Sequence, residues 1–224
     1  MLVLALDTAT PASTAALMEV TADAVRGVAE RRTVDPRAHG EKLAPEIAAT
    51  LAETGARPGD LGAIVAGVGP GPFTGLRVGL ATAAGMGQAL GIPTYGVCSL
   101  DAIGRAAGPG RVLVATDARR REVYYATYVD GVRDLGPEVA KPAQVADVLA
   151  RAGIVDRAAG EGALKYGDLF GVPVEEHLLY PPGAALVALA AERIRDGAPG
   201  EPLVPLYLRR PDAVEPSGRK PVLT

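Results

Sequence analysis

The chain has 224 residues, 48% of them apolar, and carries 23 basic against 26 acidic side chains. A net charge of −3 excludes broad electrostatic attraction to nucleic acid or anionic lipid. The single Cys98 excludes an internal disulfide, and no Cys/His spacing fits a structural zinc. Asp7 interrupts the N-terminal apolar run, and no stretch approaches the ~20 apolar residues of a membrane span. A reducing, cytoplasmic setting without membrane contact is therefore expected.

Leu2–Leu6 reads as a buried strand that ends at Asp7-Thr8-Ala9-Thr10-Pro11. Ser13–Met18 and Val25–Arg32 read as two further strands, joined by a polar turn near Thr21–Asp23. A helix then opens at His39-Gly40-Glu41. Leu43, Ile47 and Leu51 fall on one stripe of it, beside Ala44, Ala48 and Ala52. Pro45 suits its beginning and Gly55 its end.

Ile64-Val65-Ala66 is a short apolar strand followed by Gly67, Gly69, Pro70, Gly71 and Pro72, too dense in turn residues for any regular element. A small-residue helix follows, with Thr74 as its expected N-cap and Gly91-Ile92-Pro93 as its stop. Gly75, Gly79, Ala83 and Gly87 recur every four residues and share one nearly bare face. An interior glycine costs roughly 0.5–1 kcal/mol relative to alanine. Something must therefore come very close to that backbone, and a second helix is the expected neighbour. On that reading Gly79→Leu would abolish a protein–protein contact and leave the monomer folded.

A strand at Thr94–Val97 and a helix from Ser99 follow, and Gly108-Pro109-Gly110 marks a boundary between lobes. Beyond it come a strand at Arg111–Thr116, a turn at Asp117–Arg121, a strand at Glu122–Val129, a helix from Pro142 to about Ala152 and a strand near Ile154–Ala159. An apolar helix at Pro182–Arg195 precedes a proline-rich tail with one apolar knot at Leu203–Leu208. Alternating strands and helices imply an α/β fold in three parts: 1–108, 109–195 and a tail over 196–224.

Several residues allow two readings. Asp7 could orient a metal-bound phosphate or cap its own turn through backbone bonds, and the turn reading is favoured. Gly67–Gly71 could hold an anion or simply make a strand-to-helix turn. Arg77, a cation in the first turns of a helix, is electrostatically misplaced and so calls for a specific partner, a phosphate or a carboxylate. His39 and His177 are lone histidines. With Ser13, Ser99 and Ser217 they assemble no hydrolase triad. Cys98 reads as a structural thiol, and Arg119–Arg121 as a solvated hairpin tip rather than a nucleic-acid patch.

The segment Val68–Gly79 (VGPGPFTGLRVG), together with Leu4–Leu17 (LALDTATPASTAAL), closely resembles the TsaB (YeaZ) family. His39–Pro45, Asp117-Ala118-Arg119, Glu122-Val123-Tyr124 and Pro205–Arg209 are similar to further family segments, so the resemblance runs from residue 2 to about 209. It implies an actin/Hsp70-like two-lobed fold with a reduced second lobe. It also implies kinship with the catalytic subunit TsaD, whose metal-binding His-x-x-x-His would align its imidazoles with Ser99 and Ile103 here. An acidic residue of TsaD's first phosphate loop falls at Pro11 or Ala12. The family reading is thus a non-catalytic subunit without metal or cofactor, its phosphate loops (Asp7, Thr8, Gly69, Gly71) degenerate. It dimerises with and activates TsaD for threonylcarbamoyl transfer to the adenosine beside the anticodon of ANN-reading tRNAs.

The resemblance also implies that TsaE joins the larger complex, that the chain alone can form a homodimer through the same surface, and that tRNA is met only through the complex. The interface expected from the family comprises His39, Glu41, Leu43, Ile47, Leu51, Phe73, Thr74, Gly75, Arg77, Gly79, Ala83 and Gly87. The rival class is an ATP-dependent phosphotransferase of the actin/Hsp70-like superfamily, kept open by Asp7 and Gly67–Gly71.

Overall fold

A computed structural model describes residues 1–152 and 155–209. It holds strands β1 (Leu2–Asp7), β2 (Ala12–Val20), β3 (Val25–Val34), β4 (Leu61–Gly67), β5 (Thr94–Val97), β6 (Arg111–Asp117), β7 (Val123–Val129), β8 (Val132–Ala140) and β9 (Arg157–Ala159). The helices are α1 (His39–Thr54), α2 (Phe73–Leu90), α3 (Ser99–Ala107), α4 (Pro142–Ala152), α5 (Glu161–Phe170) and α6 (Gly183–Arg195).

The first sheet runs β3-β2-β1-β4-β5. β1 pairs antiparallel with β2 and parallel with β4, and β4 pairs parallel with β5. Val3, Leu4, Ala5 and Leu6 are all buried, so β1 shows no alternation: both its faces are covered. Leu43, Ile47 and Leu51 of α1 and Leu76, Leu80 and Ala83 of α2 cover one face, over Leu4, Leu6 and Ile64. Leu186, Val187 and Ala190 of α6 cover the other, over Val3, Ala5 and Val65. The outer strand β3 stays open to water and is defended by Arg26, Glu30, Arg31 and Arg32.

The second sheet runs β8-β7-β6-β9. Its one face carries α4 and α5 through Val145, Leu149, Ala163 and Phe170. Its other face meets Leu100 and Ile103 of α3, while Ala102 of the same helix packs into the core of the first sheet. α3 is therefore the apolar layer shared by the two sheets. The whole is the expected α/β fold, built on two sheets with helices against their faces.

Four expectations need correction. α2 starts at Phe73 behind Pro72, with no side-chain oxygen closing its first turn, so Thr74 is not the cap. Pro45 lies inside α1 rather than at its start. α6, assigned by sequence to the second lobe, packs on the first sheet, so the chain returns to the lobe it began in. β8 and α5 were not expected. β8 contains Gly136-Pro137, and α5 is broken at Tyr166 (φ −123°, ψ 19°), so neither keeps a clean period. The expected strand near Ile154–Ala159 is β9; its first expected residue, Ile154, lies outside the described residues, as do Arg210, Ser217 and the end of the tail.

The described tail is a strap. Glu201 N–H donates to Thr94 O and Leu206 N–H to Val68 O, both at 2.8 Å. Leu203 packs on the core beneath α2, and Leu208 on the core beneath α3.

Candidate functional site

The C-terminal ends of the parallel strands β1, β4 and β5 bring Asp7, Gly67 and Ser99 together, the edge at which open α/β sheets bind ligands. Here that edge is closed by the protein itself. Ser99 Oγ donates to Asp7 Oδ2 at 2.6 Å, and Ala9 N–H donates to Asp7 Oδ1 at 3.0 Å. Gly69 N–H donates to Ser99 Oγ at 3.2 Å, and Ser99 N–H to Gly69 O at 2.8 Å. Gly67 and Gly71 are glycines for want of room. A methyl on Gly67 would land on the Asp7 carboxylate, and one on Gly71 on the Ala9 backbone. Asp7 is 1% exposed, and burial pushes its carboxyl up to about 6 despite the bonds from Ser99 and Ala9 and the charge of Arg32.

The bonds around Asp7 are those of a capped turn, the favoured reading, with Ser99 as an added partner 92 residues away. Sequence could have pointed to Ser99: it follows a strand parallel to β4, hence at the same edge. A metal does not fit the two positions aligned with imidazoles. The Ser99 hydroxyl already gives and receives a hydrogen bond, and Ile103 is an apolar core residue. Among the described residues no three His, Cys, Asp or Glu side chains converge.

Thr8 explains the glycine stripe of α2. Its Oγ1 donates to Gly75 O at 2.8 Å and accepts from Gly79 N–H at 3.0 Å, a carbonyl and an amide one helical turn apart. The threonine is spliced into the helix ladder. A Cβ on Gly79 would stand 2.5 Å from that Oγ1, one on Gly75 2.9 Å from the His39 ring, and one on Gly87 2.5 Å from Thr94 Cγ2. The close neighbours are this chain's own first turn, His39 at the start of α1, and β5. The stripe faces inward, and the sequence expectation of an outward contact face is corrected.

His39, likewise, is a satisfied core residue, 8% exposed. It shares a 2.9 Å hydrogen bond between Nδ1 and Ser13 Oγ, and burial lowers its basicity. Leu43, Ile47, Leu51 and Ala83 are buried under the sheet. Of the residues assigned to an interface, only Glu41, Phe73, Thr74 and Arg77 reach the surface. The expected interface left out what else does: Ala44, Ala48 and Ala52, noted above only as flanking the α1 stripe, and Ala81, Ala84 and Gly85 on α2, all exposed on two helices lying side by side. Small residues do line the outer face of this pair, but they are the flanking alanines rather than the glycine stripe.

The second lobe contributes Asp117 and Glu161. Asp117 N–H donates to Glu161 Oε1 at 2.9 Å, and Lys165 Nζ lies 3.3 Å from Asp117 Oδ2. Burial, with the Asp117 charge, lifts Glu161 to about 7. Arg119, Arg120 and Arg121 form an exposed hairpin tip as expected, but all three hold left-handed φ (62°, 54°, 60°), unusual for residues with a Cβ. Arg209 closes over the tip, donating to Ala118 O and pairing with Glu122.

The family described as TsaD, tRNA N6-adenosine threonylcarbamoyltransferase, matches residues 26–192. An uncharacterised protein of Mycobacterium tuberculosis is 52% identical over 213 residues, 94% of this chain and 93% of the relative. The tRNA threonylcarbamoyladenosine biosynthesis protein TsaB of Escherichia coli is 37% identical over 132 residues, 57% of this chain and 55% of that protein. The solved structure of YeaZ from Pseudomonas aeruginosa superposes with a TM-score of 0.75 at 30% identity, covering 92% of this chain and all of that one. With the same two-sheet fold and a relative matched along its whole length, this chain belongs to the TsaB (YeaZ) family.

Proposed function

We propose that this protein takes part in tRNA threonylcarbamoyladenosine biosynthesis as a non-catalytic subunit that docks on, and activates, a TsaD-type transferase. The observation that carries the reading is the outward face of α1 and α2. In a chain whose catalytic edge is sealed by its own Ser99 and Ala9, these helices present Ala44, Ala48, Ala52, Ala81, Ala84 and Gly85 to solvent. Flush small residues let two helix axes approach closely. The transferase family matches this chain across both helices, so two related subunits can meet through corresponding surfaces in a pseudo-twofold arrangement. Docking raises activity if it favours the competent conformation of the transferase. TsaE joins that assembly, and tRNA meets this subunit only within it.

The test pairs the purified chain with the transferase subunit of the same organism. Ala48→Arg and Ala81→Arg change only exposed positions, so the monomer stays folded while the complex disappears from size-exclusion chromatography. Adding the wild-type chain to the transferase raises threonylcarbamoylation of tRNA, and the chain alone yields none. Modification by the isolated chain, or a complex indifferent to both substitutions, overturns the reading.

A further inference from the structure

Arg77 stands at the surface of α2 in a cradle whose parts come from opposite ends of the chain. Its Cζ lies 3.7 Å from the centroid of the Phe73 ring, and its Nε donates to Tyr207 Oη at 2.9 Å. Phe73 and Tyr207 stack on each other, ring centroids 5.2 Å apart and planes 25° from parallel. One of only two phenylalanines in the sequence is thereby left 49% exposed, beside a tyrosine that is 38% exposed.

Both described groups that touch the guanidinium, Tyr207 and Phe73, are neutral. Among the described residues no carboxylate pairs with Arg77, and its terminal N–H groups have no acceptor. The first turn of α2 carries no acid, so the helix dipole adds to the positive potential rather than cancelling it. A cation is thus held in one orientation, its planar fork without an acceptor among the described residues. That fork matches a carboxylate in two parallel hydrogen bonds. Fixing it beforehand removes the ordering cost a binding arginine usually carries. Tyrosine, arginine and phenylalanine around one point have the composition of an interface anchor.

We propose that Arg77 is the anchor for an aspartate or glutamate side chain of the transferase subunit, and that Tyr207 and Phe73 position it. The proposal rests on the docking reading above and adds to it a specific ion pair and a role for the C-terminal strap. Tyr207 lies beyond residue 192, where the match to the transferase family ends, so the cradle includes a part outside the matched region. A second copy of this chain offers Glu41 of α1, exposed and without an ion-pair partner among the described residues. Self-association is therefore measured alongside.

The dissociation constant of the complex with the organism's own transferase subunit is measured by calorimetry at 50 and 300 mM NaCl, for wild type, Arg77→Ala, Arg77→Lys and Tyr207→Phe. Circular dichroism checks that each variant is folded. Arg77→Ala should weaken binding at least ~tenfold at low salt and flatten its salt dependence. Arg77→Lys should recover only part, lacking the planar fork, and Tyr207→Phe should cost a few-fold because the fork is no longer held. In an Arg77→Glu background, replacing the facing acid of the transferase by arginine should restore the complex.

Binding of Arg77→Ala within twofold of wild type overturns the anchor while leaving the docking reading intact. Failure of the wild-type chain to bind overturns both. Loss of self-association with the heterodimer unaffected also overturns the proposal, since the carboxylate would then belong to a second copy.

Discussion

The hydroxyl of Thr8, at the end of the first strand, bridges the backbone of Gly75 and Gly79 in the second helix. This fixes what each glycine of that helix is worth. Gly79→Ala would ordinarily gain up to ~1 kcal/mol of helix propensity. With Thr8 Oγ1 only 2.5 Å from the new methyl, it should instead destabilise by about 1–3 kcal/mol. Gly85, with nothing within 4 Å of a built Cβ, should give the ordinary gain, ~0.5–1 kcal/mol, on mutation to alanine. Thr8→Ala should relieve part of the Gly79→Ala loss, so that the double variant is more stable than additivity requires. Urea unfolding of wild type and the four variants reads all of this. A stabilising Gly79→Ala would mean that the bridge does not form. Gly79→Leu, for the same reason, should damage the monomer and cannot serve as an interface probe.

Asp7 sets a pH dependence of known sign. Its folded value of about 6 lies above the ordinary 3.8 because burial opposes the charge. The stability it contributes is fully present below pH 3.8 and is lost as pH rises through about 6, amounting to about 3 kcal/mol at most. Asp7→Asn removes the titration. The stability of the variant relative to wild type should therefore climb between pH 4 and 6.5 and then level off. A difference that stays constant across that range would place the carboxylate in contact with water.

How far the sequence discloses these relations depends on their range. β1 to β3, α1, β5 and the start of α3 follow from local periodicity and from glycine or proline stops, and they stand where those signals put them. The small-residue stripe of α2 signals close approach equally well, but spacing alone cannot name the neighbour. Thr8 lies 71 residues from Gly79, and a partner helix would leave the same pattern. Leu43, Ile47 and Leu51 form a buried stripe whether they face a sheet or a second protein. α5 was hidden by Gly162, Gly167 and the break at Tyr166, and Tyr207 gave no hint that it would return to Phe73. Asp7 was legible as a turn cap because its Ala9 bond is local; its Ser99 bond was not.

Cys98 should be chemically silent in the native protein. Burial and the nearby Asp101 push its thiol up to about 12, so almost no thiolate is present at pH 8. Iodoacetamide at that pH should leave the folded chain unmodified over a time in which the guanidinium-unfolded chain is fully alkylated. Cys98 keeps part of its surface exposed, so rapid labelling under native conditions would show that its surroundings do not hold the thiol protonated.

The closed turn also predicts how the chain responds to nucleotide. Phosphates would have to enter between the turn after β1 and the turn after β4. There the backbone of Gly71 lies so close to Ala9 that even a methyl group has no space, and both Asp7 oxygens are occupied. A ligand binding only the folded state at a hundred times its dissociation constant contributes about 2.7 kcal/mol. For a chain of this length that is a rise in melting temperature of roughly 5–10 °C. With 1 mM ATP and magnesium the isolated chain should shift by less than about 1 °C, a figure set against that scale. A shift of several degrees accompanied by phosphate release would mean that the two turns separate in solution, and would favour the phosphotransferase reading over that of a docking subunit.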